Sequence, residues 1–201
     1  MSEKPHSATW RVRGARPRNP RERHTIKSVN TDIAIRLAEA DDAHGIAVMS
    51  RDHIESGLSW KYDAPRIARA IRHRDMVVLA ATEPEGRRDA LRGFAAMEFG
   101  EERAHLTLLA VQPAHRRRGI GRCLVDWLLE SAVTAGIASI HLELRSGNQA
   151  SRRFYRALGF SETVLVPGYY AGRESALRMI RMLRSPGPLP LAWRPPALGQ
   201  K

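Results

Sequence analysis

Apolar positions along the chain follow two periods and divide it into short elements. Residues 33–37, Ile33-Ala34-Ile35-Arg36-Leu37, alternate and predict a strand. Asp41 and Asp42 stand where a helix cap is expected, ahead of Ile46, Met49 and Ile54 at helical spacing. A second helix is predicted over 65–73, with Pro65 suited to its first turn. The apolar runs 76–81 and 91–99 read as strands joined across a polar turn, 83–89, that holds Pro84 and Gly86. Residues 104–111 form the next strand. From Gly119 to about Ala135, Leu124, Trp127, Leu128 and Ala132 fall on one helical face. A strand over 138–145 and a short helix over 149–158 follow, the helix stopped by Gly159. Strands over 160–166 and 175–183 close the series. The order is strand, two helices, three strands, helix, strand, helix, two strands. It predicts an α/β (α+β) fold with a mixed sheet and helices on both faces.

Composition separates the ends from this core. Residues 1–30 carry scattered Arg, Pro and Asn without apolar periodicity, and are expected to be a disordered basic arm. Residues 185–201 hold five prolines, which favours extended chain. The domain is expected to span 31–184, and with 43 % hydrophobic residues the bulk of the chain should be globular. The net charge of +12 suggests nucleic acid until it is located. Eight basic residues against two Glu in 1–30 give +6, and three unopposed basic residues in 184–201 give +3. Residues 31–183, with 22 basic and 19 acidic residues, carry only +3. The arm is either a solvated extension or a contact for RNA or ribosomes through phosphates. No apolar run is long enough for a membrane helix, and no apolar signal-peptide core is present. The single Cys123 excludes an internal disulfide framework. A cytoplasmic location is expected.

The candidate chemistry lies where the strand ending Leu109-Ala110-Val111 meets the next helix. The loop there reads Arg116-Arg117-Arg118-Gly119-Ile120-Gly121-Arg122. A helix start presents unpaired N–H groups and a positive dipole end, and glycines let a bulky anion reach the backbone. Four arginines in seven residues add charge-assisted donors. The ligand expected is a pyrophosphate or a similarly dense anion. The third glycine of a dinucleotide loop is missing, and so is the Gly-Lys-Ser/Thr of a Walker loop.

Farther on stand His141-Leu142-Glu143-Leu144-Arg145, then Asn148, then Arg153-Phe154-Tyr155 and Gly159-Phe160. With these residues, positions 33–183 resemble the GNAT superfamily of acyl-CoA N-acyltransferases. Arg116-x-x-Gly119-x-Gly121 matches its pyrophosphate motif, and Asn148…Tyr155…Gly159-Phe160 its second coenzyme-A motif. The second half is most similar to ribosomal-protein alanine N-acetyltransferases, through 142–145 and Gly168-Tyr169-Tyr170. The resemblance implies a GNAT-type, mostly antiparallel sheet of about seven strands. It implies acetyl-CoA as co-substrate and a primary amine, a protein N-terminal α-amine or a small amine, as acceptor. By the same resemblance, Leu109, Ala110 and Val111 hold the pantetheine arm. Arg116, Arg117, Arg118, Gly119, Ile120, Gly121 and Arg122 cradle the pyrophosphate, and Asn148 bonds the coenzyme. Glu143 is then the base and Tyr155 the acid. A second reading is a GNAT-like acyl-CoA-binding module whose basic arm contacts nucleic acid or ribosomes.

An amine attacks a thioester only as the free base, so a proton acceptor is required. Alternation puts Ile140, Leu142 and Leu144 on one strand face and His141, Glu143 and Arg145 on the other. Glu143 therefore faces away from the core. A carboxylate is a weak base unless burial raises its pKa, and a salt-bridged surface Glu is the competing reading. Tyr155 supplies an O–H for the leaving sulfur, or else packs as a core aromatic. Asn148 alternatively only caps the helix after it. A backbone N–H near Val111 would meet the oxyanion. His115 and His141 are alternative proton acceptors. The eight histidines show no ligand spacing, so no metal is expected. Substrate-facing residues are expected in 53–62.

Overall fold

The computed structural model describes residues 26–27, 33–85 and 88–184, with the backbone alone at 26, 27, 84, 85, 88 and 89. The Pro-rich tail expected over 185–201, and all of the basic arm except Ile26–Lys27, lie outside the described residues. Ile26–Lys27 fall within the segment expected to be disordered and form a short strand, β1. The other strands are β2 (Ala34–Leu37), β3 (Met76–Glu85), β4 (Arg88–Phe99), β5 (Arg103–Val111), β6 (Ser139–Arg145), β7 (Ser161–Tyr170) and β8 (Glu174–Met182). The helices are α1 (Ala43–His53), α2 (Ala64–Arg72), α3 (Ile120–Thr134) and α4 (Gln149–Ala157). One sheet runs in the order β1-β2-β3-β4-β5-β6-β8-β7. Every neighbouring pair is antiparallel except β5 and β6. This is the mixed, mostly antiparallel sheet expected, lengthened by β1.

Local chemistry sets the helix ends. Asp63 accepts a hydrogen bond from the Arg66 N–H at 2.9 Å, and Pro65 fills the first turn of α2. Asn148 caps α4 through the Ser151 N–H at 3.0 Å, and Gly159 ends that region at φ 80°. Asp42 does not begin α1 as a simple cap. It closes a one-turn 3-10 helix over Ala40–Asp42 by accepting from the Glu39 N–H, and it is paired with Arg36 at 2.6 Å. The hairpin differs more from expectation. Pro84 pairs with Asp89 and Glu85 with Arg88, so the strands continue through the stretch read as a polar turn. Ladder pairing satisfies the backbone there whatever the side chains' polarity. β7 likewise runs on to Tyr170, four residues past the expected end.

Two cores sandwich the sheet. On one face Ile120, Leu124, Val125, Leu128 and Ala132 of α3, with Tyr155 and Leu158, pack on Ile35, Leu79, Met97, Leu106, Ile140 and Leu142. On the other, Ile46, Ala47 and Met49 of α1 and Ile67 of α2 cover Val78, Ala80, Phe94, Ala96 and Leu108. β5 contributes to both because it is bulged. Met97 pairs with Leu106 and Ala96 with Leu108, which leaves Thr107 as the extra residue, its hydroxyl donating to the Ala96 carbonyl at 3.0 Å. An inserted residue reverses the facing of every side chain after it. Ala104 and Leu106 therefore face α3, whereas Leu108 and Ala110 face α1 and Leu109 and Val111 pack towards α3.

Leu124 is wholly buried one turn past the start of α3. Leu124→Ala is expected to lower unfolding stability in urea by about 2–5 kcal/mol through the cavity it leaves.

Candidate active site

The loop between β5 and α3 is folded tightly over the helix start. Pro113–His115 form a single 3-10 turn, and two residues take left-handed backbone, Arg117 at φ 63° and Gly119 at φ 85°. Gly119 is the N-cap of α3, and a Cβ built on it would meet nothing within 4 Å. Open space thus lies beside Gly119 at the helix start, the end of a helix that favours an anion. Gly121 serves packing instead, since a Cβ there would touch the Phe154 ring at 3.4 Å and Val111 at 3.7 Å.

The arginines divide between structure and surface. The Arg116 Nε–H donates to the Val111 carbonyl at 3.0 Å and closes the loop back on β5. Arg122 reaches the Ala157 carbonyl at 3.4 Å and joins α3 to the end of α4. Arg117 and Arg118 are exposed beside the helix start. Ile120 is buried in the core beneath it. Asn148 is exposed, with its side-chain oxygen engaged in capping α4.

β5 and β6 pair in parallel at Arg103↔Ser139, Ala104↔Ile140 and His105↔His141, and their ladder ends there. Beyond it Leu109, Ala110 and Val111 stand on one side and Glu143 on the other. Tyr155 of α4 is buried in the core on the α3 side, edge-on between Phe154 at 5.1 Å and Phe160 at 5.6 Å. Burial raises its phenol pKa above the usual value, with the neighbouring Tyr170 adding to the effect. The O–H keeps its proton at neutral pH and is available to donate a hydrogen bond.

Glu143 is on the face that alternation predicts, but it is not a lone carboxylate. One oxygen lies 2.7 Å from His105 Nε2 and the other accepts from the Arg178 Nε–H at 2.7 Å. The side chain is only 6 % exposed. The hydrogen bond from His105 lowers its pKa most. Burial opposes this, Arg178 adds to it, and the value comes to about 2. Burial thus does not raise Glu143 towards a stronger base, because its partners outweigh desolvation, and the salt-bridged state weighed from the sequence is the one found. His141 stacks on His105, ring centroids 4.5 Å apart and 5° from parallel. Its pKa is lowered, first by burial and then by His105. His115 is turned away to Glu83 at 3.6 Å, next to the Arg92–Glu83 pair. The sequence reading missed His105. Its position was legible, because His105 alternates with the core residues Ala104 and Leu106, but its partner across the parallel pair was not.

The expected substrate-facing loop, 53–62, is organised by a buried carboxylate. Glu55 accepts from the backbone N–H groups of Lys61 at 2.6 Å and Tyr62 at 3.3 Å, and from the Ser50 hydroxyl at 3.2 Å. Arg145 ties that loop to the sheet by donating to the carbonyls of Ser56 at 2.6 Å and Ile54 at 3.5 Å, while pairing with Glu174 at 3.0 Å. Tyr62 and Tyr169 both feel this cluster. Burial raises the pKa of each, with Glu55 and Glu98 adding at Tyr62 and Glu143 adding at Tyr169. Among the described residues no group of three His, Cys, Asp or Glu could hold a metal, and no helix is long and apolar enough to cross a membrane.

The acetyltransferase (GNAT) family model matches residues 47–160. The [ribosomal protein bS18]-alanine N-acetyltransferase of Salmonella typhimurium is 35 % identical over 94 residues, 45 % of this chain and 64 % of that protein. Its Escherichia coli K12 counterpart is 36 % identical over 89 residues, 43 % and 60 % respectively. The match thus spans less than two thirds of those relatives' length. The crystal structure of the E. coli ribosomal-protein-S18-alanine N-acetyltransferase superposes with a TM-score of 0.64 at 25 % identity, covering 77 % of this chain and 96 % of that one. Arabidopsis thaliana NAA60 in complex with acetyl-CoA gives 0.67 at 18 % identity, covering 75 % and 98 %, a likeness of fold.

Glu143 holds a lower pKa when folded than its ordinary value of 4.5, so its stabilisation is complete above about 4.5 and fades as the pH falls towards 2. In urea unfolding, the stability gap between the wild type and Glu143→Gln is expected to narrow by about 2 kcal/mol between pH 6 and pH 2, allowing for solvent around Arg178. A gap that does not change with pH would contradict the ion-paired state.

Proposed function

The chain belongs to the acetyltransferase (GNAT) family, and from that premise we propose that it moves an acetyl group from acetyl-coenzyme A to a primary amine. The observation that carries the proposal is one juxtaposition. The open, glycine-capped start of α3 follows β5, which has parted from β6, and Glu143 stands on β6 two residues past the last parallel pair.

The residues present fit the coenzyme. Space over Gly119, the N–H groups of 120–122 and the exposed Arg117 and Arg118 suit its pyrophosphate. The parted strand edge at Leu109, Ala110 and Val111 offers main-chain partners to its pantetheine arm. Arg116, Ile120 and Arg122 hold the loop's shape, and Asn148 keeps its amide N–H groups on the exposed side. When bound, the coenzyme supplies an activated acyl thioester. The protein's part is to orient the amine, take its proton at the Glu143 cluster and offer the Tyr155 O–H to the departing sulfur.

The acceptor enters from the side of α1 and the β7–β8 hairpin, between the loop held by Glu55 and Tyr169. Among amines we put the α-amine of a protein N-terminus first, because the S. typhimurium and E. coli relatives are named for an alanine of a ribosomal protein. A small amine is the alternative. An N-terminal α-amine has an ordinary pKa near 8, so less than a tenth is free base at pH 7, and an acceptor for its proton is worth having.

Calorimetry is expected to detect acetyl-CoA binding that Gly119→Asp and Gly121→Asp each weaken by roughly 100-fold, the first by setting a carboxylate beside the phosphates and the second by pushing Phe154 and Val111 away from the helix start. Unchanged affinity in both would sink the phosphate-loop assignment. Glu143→Gln and Tyr155→Phe are expected to lower kcat by about 10²-fold or more while acetyl-CoA affinity stays within about 3-fold. If neither slows turnover with an N-terminal peptide or small-amine panel, these two residues do not carry the chemistry.

A further inference from the structure

Glu143 has more around it than a proton-accepting carboxylate needs. The Glu98↔His105 and His105↔His141 pairs put these three side chains on one face of the sheet, with Glu143 two residues farther along β6. His105 Nε2 is 2.7 Å from the Glu143 carboxylate, whose other oxygen is occupied by Arg178. The His105 ring is fixed from one side by the stacked His141 ring. This face is the one on which Arg145 meets the loop after α1, the side proposed for the acceptor. We propose that His105 is the residue that receives the amine's proton, at Nδ1, and that Glu143 is the positioning residue that holds its Nε2–H and stabilises the imidazolium. This inference rests on the acetyl-transfer reading above and reassigns the proton within it.

The chemistry favours the imidazole. A carboxylate held to about 2 accepts a proton from an ammonium of pKa near 8 only against roughly six decades, whereas an imidazole ordinarily titrates near 6.5. The Nε2 bond to Glu143 fixes the neutral tautomer, so that Nδ1 carries the lone pair. In the reaction His105 Nδ1 takes one proton from the ammonium and frees the nitrogen lone pair. That pair forms the N–C bond as the C–S bond breaks, and the C–S electron pair leaves on sulfur. The second nitrogen proton ends on the sulfur, beside the Tyr155 O–H. The charged and titratable groups facing His105 are Glu98 from β4, Arg103 on its own strand, His141 and Glu143 from β6, Arg178 from β8 and, next to Glu143, Tyr169 from β7. His141 is held neutral at pH 7 by burial and by His105, so one imidazolium, not two, forms in the stack.

The test is the pH profile of kcat/KM for peptide N-termini and small amines, with wild type and His105→Gln, together with imidazole ¹⁵N NMR of the resting protein. The wild type is expected to show an acidic limb. His105→Gln keeps a side-chain donor for Glu143. It is expected to lose that limb and 10²-fold or more of kcat, with acetyl-CoA affinity within about 2-fold. The NMR spectrum is expected to place the neutral ring's proton on Nε2. An active wild type whose limb is unmoved by His105→Gln, or a neutral ring with its proton on Nδ1, overturns this inference alone. A wild type that transfers acetyl to no amine overturns the acetyl-transfer reading and this inference with it.

Discussion

The three-residue length of the β5–β6 ladder is the constraint on which the rest of the molecule depends. Parallel pairing holds the strands at His105↔His141 and then stops. Past that point each strand keeps a main-chain edge that must find partners outside the ladder. β5 is prepared for this by the Thr107 bulge, which turns Leu109 and Val111 towards α3. Gly93 on β4 permits the turn, since a Cβ there would stand 3.0 Å from the Ala110 carbonyl. The parted edge therefore runs straight into the glycine-capped helix start. The same ladder end sets His105 and His141 ring against ring, with Glu143 beside them.

Two electrostatic environments meet at this gap. At the loop, exposed arginines and helix N–H groups make a solvated cationic rim suited to a dense anion. Along β6, Glu143 is almost out of solvent and its charge is kept only by its partners. Removing one partner of such a buried pair costs more than the pair itself contributes, because the other charge is left uncompensated. Two residues farther along β6, Arg145 ties the loop over 53–62 to the sheet, and Glu55 organises that loop from within.

Much of the fold was legible because each element carries its own periodicity or cap. Pro65, Asn148 and Gly159 mark helix ends in the sequence as they do in the structure. The shape of the loop before α3 was legible for the same reason: its glycine cap and its arginines are local features. Where the reading fell short, the cause was non-local. Residues 83–89 look like a turn until β3 and β4 pair across them. His105 looks like an ordinary half-exposed strand residue until a parallel partner 38 positions away supplies Glu143. The facing of Glu143 followed from alternation, but its pKa depends first on His105 and then on Arg178, which alternation along β6 cannot reveal. Gly121 shows a subtler case: it was read as room for phosphate, and the structure also uses it as room for Phe154.

The account stands or falls on where the coenzyme sits. Backbone amide NMR of the full chain, titrated with acetyl-CoA, reads that position directly. The largest shift changes are expected at Leu109, Val111 and 117–122, with smaller ones at Glu143 and Tyr155. Saturable changes confined to other surfaces, with the β5 edge and the α3 start unmoved, would contradict it.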